Sequence, residues 1–116
     1  MEKLYDAELK VMEIIWADGE AAAKDIAAVC SENFGWNKNT TYTVIKRLVE
    51  KKVLSRSEPG FICSALIGKN EVQKAETKGL IEKLFEGSKS AFFAAFADEK
   101  LSPDEIEALK ALIEKK

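Results

Sequence analysis

Residues 36–52 read WNKNTTYTVIKRLVEKK and carry a helical pattern from which the rest of this 116-residue chain can be interpreted. At about 100° per residue, one narrow arc of such a helix holds Thr41, Val44, Ile45 and Leu48. This arc must face a protein core, and Asn37 is a suitable N-cap for the helix. The pattern predicts a helix that begins at Asn37, ends at about Lys52 and exposes its opposite face.

The exposed face of this helix is rich in side chains that form hydrogen bonds. It carries Asn39, Thr43, Lys46 and Glu50, and it is flanked by Thr40, Tyr42 and Arg47. An ordinary solvated helix more often carries Glu/Lys pairs four residues apart. The side chains present here have the lengths that reach base edges and phosphates in a major groove. The face therefore favours contact with DNA over a merely solvated surface.

Positive charge is concentrated around the same helix. The whole chain has a net charge of −2, which predicts no general attraction to nucleic acid. Between residues 36 and 56, however, Glu50 is the only acidic residue, and it stands against Lys38, Lys46, Arg47, Lys51, Lys52 and Arg56. A local basic cluster of this kind is the electrostatic pattern expected of a DNA-binding surface.

The flanking sequence predicts the elements that would hold this helix. A first helix has Asp6 as its N-cap and Asp18-Gly19 as its end, and a second runs from about Ala21 to Asn33. After the third helix, residues 53–57 alternate as a strand, Glu58-Pro59-Gly60 forms a turn and residues 61–67 contain a second strand. Three helices followed by a hairpin are typical of a winged helix-turn-helix, with the third helix as recognition helix and the hairpin as wing.

The remaining sequence is helical. Asn70, with Gln73 three residues later, predicts the N-cap of a helix that Gly87 ends, and an Ala/Phe-rich segment covers residues 90–97. A last helix begins with Ser102 as N-cap and Glu105 as the second residue of a capping box. Phe92, Phe93 and Phe96 cannot all turn into so small a unit, which favours a dimer interface. We therefore expect a winged-helix domain in residues 1–68 and a helical dimerisation region in residues 69–116.

Composition argues against several other classes of protein. The chain has no histidine and only two cysteines, so it lacks the commonest general base and metal ligand, and it has too few thiols for a disulfide scaffold. Cys30 is expected to be a small buried apolar residue, and Cys63 is interpreted as inert rather than as a redox sensor. The longest apolar run, residues 91–97, is too short to span a membrane. We expect a cytoplasmic protein that is not an enzyme and has no cofactor or metal.

At this point the chain resembles the penicillinase-repressor (BlaI/MecI/CopY-type) family of winged-helix transcriptional regulators. Residues 36–52 are similar to the family pattern W-x-x-x-T-V/I-x-T-L-I-x-R-L-x-x-K-G, and residues 84–88 with 101–106 resemble its dimerisation tail. The resemblance implies a dimeric repressor that reads an operator with inverted half-sites through the third helix. It assigns DNA contact to Thr40, Thr43, Lys46 and Arg47.

Two departures concern how repression ends. The antibiotic-resistance branch of the family is inactivated by cleavage of an Asn-Phe bond in the tail, but the matching residues 91–96 read AFFAAF and contain no asparagine. The copper-responsive branch carries clustered C-terminal cysteines, which this tail does not have. The resemblance leaves open a membrane sensor or protease that acts upstream, and direct insertion of this chain into a membrane is not expected.

The resulting hypothesis is a homodimeric, sequence-specific DNA-binding repressor with a mostly α-helical fold and a small β-hairpin. The residues expected to face base edges are Asn39, Thr40, Tyr42, Thr43 and Lys46, and those expected to neutralise phosphates are Lys38, Arg47, Lys51 and Arg56. The alternative is a winged-helix protein-interaction module or antirepressor that does not bind DNA specifically, which the acidic pI of about 5.3 keeps open.

Overall fold

The computed structural model describes residues 2–96 and 101–114. The described residues form six helices and three strands: α1 (Asp6–Asp18), β1 (Glu20–Ala22), α2 (Ala23–Phe34), α3 (Lys38–Glu50), β2 (Leu54–Ser57), β3 (Ile62–Ala65), α4 (Lys69–Phe85), α5 (Lys89–Ala94) and α6 (Pro103–Glu114). The chain forms two compact units, Met1–Lys69 and Asn70–Lys116. The mostly α-helical fold predicted from the sequence, with a winged helix-turn-helix in the first unit, is confirmed.

The core of the first unit lies between α1, α2, α3 and the sheet. Its fully buried side chains include Met12 and Ile15 from α1, Ile26 from α2, and Leu48 from α3. All the members of the predicted core arc of α3 are buried, namely Thr41, Val44, Ile45 and Leu48. Because this arc is fixed against the core, the direction of the opposite face of α3 is fixed as well.

The sheet has one strand more than the sequence predicted. β1 pairs antiparallel with β3, with Ala21 opposite Cys63, and the strand order is β1-β3-β2. The prediction that the second helix begins at Ala21 was therefore wrong, because Ala21 and Ala22 belong to β1 and α2 begins at Ala23. Alanine has low strand propensity, and this short strand forms because β3 offers it backbone hydrogen-bond partners.

The ends of the helices in the first unit show which local signals the chain uses. Asn37 is the N-cap of α3, as predicted, and its Oδ1 accepts a hydrogen bond from the Thr40 amide at 2.9 Å. Asp6 is not a cap, because α1 begins at this residue and Tyr5 is the N-cap.

The C-terminal end of α3 is closed by backbone hydrogen bonds. Lys52 has φ +62°, and the amides of Lys52 and Val53 donate to the carbonyls of Val49 and Leu48, respectively. This Schellman motif has lysine at the left-handed position that glycine usually occupies.

The second unit is built from α4, α5 and α6. Asn70 lies inside α4, which begins at Lys69, so the predicted cap at Asn70 was wrong. The predicted capping box of α6 is confirmed, since Ser102 N donates to Glu105 Oε1 at 2.9 Å and Glu105 N donates to Ser102 Oγ at 3.1 Å. Ala97, the last residue of the predicted Ala/Phe-rich segment, lies outside the described residues.

Few apolar side chains of the second unit are buried. Among its described residues, the buried ones are Val72, Ile81 and Phe92. The Phe92 ring packs edge-on against Phe85 and Phe96, with centroid distances of 5.6 and 5.3 Å. Leu80 and Leu84 are 43% and 66% exposed. Across the part of the chain that the structure describes, no helix combines the length and apolar character needed to cross a bilayer.

Candidate nucleic-acid interface

The exposed face of α3 presents the polar residues that the sequence placed there. The side chains of Lys38, Asn39, Thr40, Tyr42, Thr43, Lys46 and Arg47 are all exposed. An open concavity of about 310 Å³ runs along part of this face, and it is lined by Asn37, Asn39, Thr40, Thr43, Val44 and Arg47. The structure therefore brings amide, hydroxyl and guanidinium groups to one accessible surface of one helix.

The two threonine hydroxyls on this face are already hydrogen-bond donors within the protein. Thr43 Oγ1 donates to the Asn39 carbonyl at 2.9 Å, and Thr40 Oγ1 lies 3.2 Å from Asn37 Oδ1. A hydroxyl has one proton and two acceptor lone pairs. Thr40 and Thr43 can therefore accept hydrogen bonds from a ligand and offer it their methyl groups, while their protons stay engaged in the helix and its cap.

Lys51 is placed differently from the other basic residues expected to bind DNA. Its ammonium donates to Glu8 Oε1 and to the Lys3 carbonyl, both at 2.7 Å, and lies 4.8 Å from the centroid of the Tyr5 ring. Its side chain is only 15% exposed and that of Glu8 only 1%. The ammonium neutralises a buried carboxylate of α1, so the structure does not bring it together with the exposed cations of α3. Sequence reasoning missed this pair because its members lie far apart along the chain.

Arg56 lies on β2, in the predicted wing, and its side chain is exposed. Its guanidinium carbon is 5.3 Å from the centroid of the Phe61 ring, within the range of a cation–π contact. Across the hairpin, Arg56 is paired in register with Cys63. The wing therefore presents one exposed cation, and that cation rests on an aromatic ring that the sequence-based site did not include.

Both cysteines are fully buried free thiols. Burial raises the pKa of the Cys63 thiol, and the positive charge of Arg56 opposes this effect in part. Burial also raises the pKa of Cys30, and the neighbouring Thr41 side chain opposes this effect in part. The sequence offered no basic neighbour for Cys63, whereas the hairpin brings Arg56 to it. Buried thiols with raised pKa values are poor nucleophiles, so neither one adds chemistry to the surface of α3.

The chain is similar in sequence or structure to several known proteins. The methicillin resistance regulatory protein MecI of Mammaliicoccus sciuri is 30% identical over 117 residues, which cover 98% of this chain and 95% of MecI. An uncharacterised 16.5 kDa protein of Latilactobacillus sakei is 30% identical over 114 residues, covering 96% of this chain and 78% of that protein. The solution structure of the DNA-binding domain of the repressor BlaI matches 61% of this chain and 93% of that domain, with 28% identity and a TM-score of 0.55.

The family assignment rests on nearly the whole sequence. The family model of the penicillinase repressors matches residues 4–115, which extend across most of both compact units. The match to the BlaI domain adds that the winged-helix architecture is shared with a domain that binds DNA. This chain belongs to the penicillinase repressor family, a family of DNA-binding repressors.

Proposed function

We propose that this protein is a sequence-specific transcriptional repressor that acts as a homodimer on an inverted-repeat operator. The observation that carries the proposal is the division of α3 into a buried arc and an exposed face of hydrogen-bonding and basic side chains. In a winged helix-turn-helix, this helix lies in the major groove. Repression is steric, because a dimer bound to promoter DNA excludes the transcription machinery.

The proposed contacts fall into two groups. Base edges are read by Asn39, Thr40, Tyr42, Thr43 and Lys46, with the two threonines as hydrogen-bond acceptors and methyl contacts. Phosphates are neutralised by Lys38 and Arg47 on α3 and by Arg56 on the wing. Lys51 is left out of this surface because its ammonium is held by Glu8. Phosphate contacts position the protein, and base contacts supply the discrimination between sequences.

The second unit is proposed to join two copies of the chain. Leu80, Leu84 and Phe96 are large apolar side chains that stay 38–66% exposed in the single chain. Apolar surface of this kind is stabilised when a second copy covers it. A symmetric dimer would present its two α3 helices to half-sites about one helical turn of DNA, or a multiple of it, apart.

Fluorescence anisotropy with promoter DNA from upstream of the gene for this protein tests the proposal. We expect tight binding that resists scrambled competitor DNA and weakens steeply with salt, because each neutralised phosphate releases condensed counterions. Binding no tighter than that to the scrambled duplex, at any salt concentration, would contradict sequence-specific reading by α3. It would favour use of the same face for a protein partner.

Two charge-removing variants sharpen this measurement. Arg47→Ala should reduce the slope of log affinity against log salt by about 0.9 for each phosphate contact that is lost. Lys51→Ala removes the same formal charge from the same end of α3 but should leave the slope unchanged, because Lys51 pairs with Glu8. Equal losses of slope in the two variants would contradict the proposed division between them.

A further inference from the structure

Phe61, immediately before β3, has an unusual backbone for an aromatic residue. Its φ is +51°, in the left-handed region, and it follows Gly60 at φ +83°. A bulky side chain in this region is strained, and the conformation persists only where the surrounding structure enforces it. The ring is nevertheless 50% exposed, so burial of the side chain does not account for the conformation.

The backbone of Phe61 is fixed by contacts with the start of α2. Its carbonyl accepts a hydrogen bond from the amide of Ala23, the first residue of α2, at 3.0 Å. The same carbonyl lies 3.6 Å from the Cys63 thiol, which donates to it. The bond from Ala23 joins this end of β3 to the helix-turn-helix, and the bond from Cys63 lies within the wing. They determine where the Phe61 ring projects from the hairpin.

The ring projects under the guanidinium of Arg56, whose Cζ is 5.3 Å from the ring centroid. None of the salt bridges among the described residues includes Arg56. A contact with a ring uses none of the acceptor sites of a phosphate, and the N–H donors of the guanidinium that point away from the ring can bind a phosphate in a bidentate manner. A free arginine must lose rotamer entropy to adopt one such arrangement. A stacked arginine has lost part of that entropy before binding.

We propose that Phe61 is a positioning residue that holds the Arg56 guanidinium, through the cation–π contact, for contact with a DNA backbone phosphate. The ring itself contacts no DNA in this proposal and acts only through Arg56. The inference rests on the proposed function, because it takes the wing to lie against the DNA that α3 enters. It assigns a role to an exposed aromatic side chain and to the strained backbone that carries it.

A double-mutant cycle tests the proposal with a duplex of mixed sequence at low salt, because a phosphate contact does not depend on base sequence. The proteins are wild type, Phe61→Ala, Arg56→Ala and the double variant, all measured as full-length chains. Phe61→Ala should weaken binding by about 2- to 5-fold, the range expected when an exposed cation–π contact is lost. In the Arg56→Ala background, the same substitution should have no effect on affinity.

Conservative substitutions separate stacking from a general loss of structure. Phe61→Tyr keeps the aromatic face and should bind as wild type does, whereas Phe61→Leu keeps apolar volume without that face and should bind as Phe61→Ala does. Leu66→Ala is the matched control, because Leu66 is an apolar residue just beyond β3 that is 57% exposed. It should leave DNA binding unchanged. Far-UV circular dichroism and thermal midpoints identify any variant that fails to fold.

The outcomes distinguish this inference from the proposed function. Equal effects of Phe61→Ala with and without Arg56 would overturn the inference, because the ring would then act independently of Arg56. Wild-type binding equal to that of Phe61→Leu would overturn it as well. Wild-type protein that shows this coupling on mixed-sequence DNA but no preference for its promoter would support the inference and contradict the operator proposal. Failure of wild type to bind any duplex would overturn both.

Discussion

In the first unit, the side chains of Met12, Ile15 and Leu48 are fully buried, whereas in the second unit those of Leu80 and Leu84 are 43% and 66% exposed. Both units contain apolar residues that are buried. The first surrounds them with three helices and a sheet, while the second leaves part of its apolar residues at its surface. The difference predicts that the first unit folds by itself, and it motivates the proposal that a second copy covers the apolar surface of the second unit.

Removing the second unit is the most drastic test of this comparison. A chain that ends after Gly68 should remain folded, because the core of the first unit lies within residues 1–69. It should also be monomeric, since the exposed apolar residues Leu80, Leu84 and Phe96 are gone. Multi-angle light scattering measures the mass, and circular dichroism measures the helix content. An intact dimer of the truncated chain would contradict the proposed role of the second unit.

Paired substitutions test the same contrast at the level of single side chains. Leu48→Ala should lower the free energy of unfolding by about 2–5 kcal/mol, because it leaves a cavity in a fully buried site. Leu84→Ala, at a site that is 66% exposed, should change the unfolding of the monomer by less than about 0.5 kcal/mol. Denaturant unfolding at low protein concentration measures both. Similar losses would mean that the second unit has a core of its own.

Lys46→Ala tests whether the exposed face of α3, in the first unit, discriminates between DNA sequences. If Lys46 contacts a base edge, its removal should reduce discrimination between operator and scrambled DNA by about 1–3 kcal/mol. The oligomeric state should not change, because Lys46 is exposed on α3 in the other unit. Competition binding and light scattering on the same samples check the two statements. Selectivity equal to that of wild type would show that Lys46 makes no base contact.

A smaller effect than that of Leu48→Ala is expected at two helix ends of the first unit that have positive φ angles, Gly35 and Lys52. Lys52→Gly should stabilise it by about 0.5–1 kcal/mol, because glycine adopts φ +62° without the cost that a side chain carries there. Gly35→Ala, at φ +70° with nothing within 4 Å of the added Cβ, should destabilise it by about 1 kcal/mol. Thermal unfolding of the chain truncated after Gly68 resolves both shifts. Shifts of the same sign would contradict this explanation.

The features that were predicted correctly depend on residues close together in sequence. Asn37 caps α3 through an amide only three residues away, and Ser102 and Glu105 form their capping box over the same spacing. The buried arc of α3 follows from helical periodicity alone. Such signals need no knowledge of tertiary structure, and for this reason α3 and α6 were predicted from the sequence.

Apart from the local caps wrongly predicted at Asp6 and Asn70, the features that were missed depend on partners distant in sequence. β1 exists because Glu20–Ala22 pair with β3, and the residues of β1 have no strand pattern of their own. Lys51 looked like the other basic residues until the fold placed Glu8 against it. The cation–π contact between Arg56 and Phe61 depends on the pairing of the two strands of the hairpin and on the positive φ angle of Phe61, and neither can be read from the local sequence. In the candidate site, therefore, the composition of the α3 face was predictable, and the partners of Lys51 and Arg56 were not.

The pairing of β1 with β3 has a topological consequence. The chain leaves β1 at Ala22, passes through α2, α3 and β2, and returns at Ile62, which is the register partner of Ala22. The helix-turn-helix is thus a loop closed at its base by a non-covalent ladder. The entropy of closing that loop is lost when the protein folds, so it need not be lost again when a ligand meets α3.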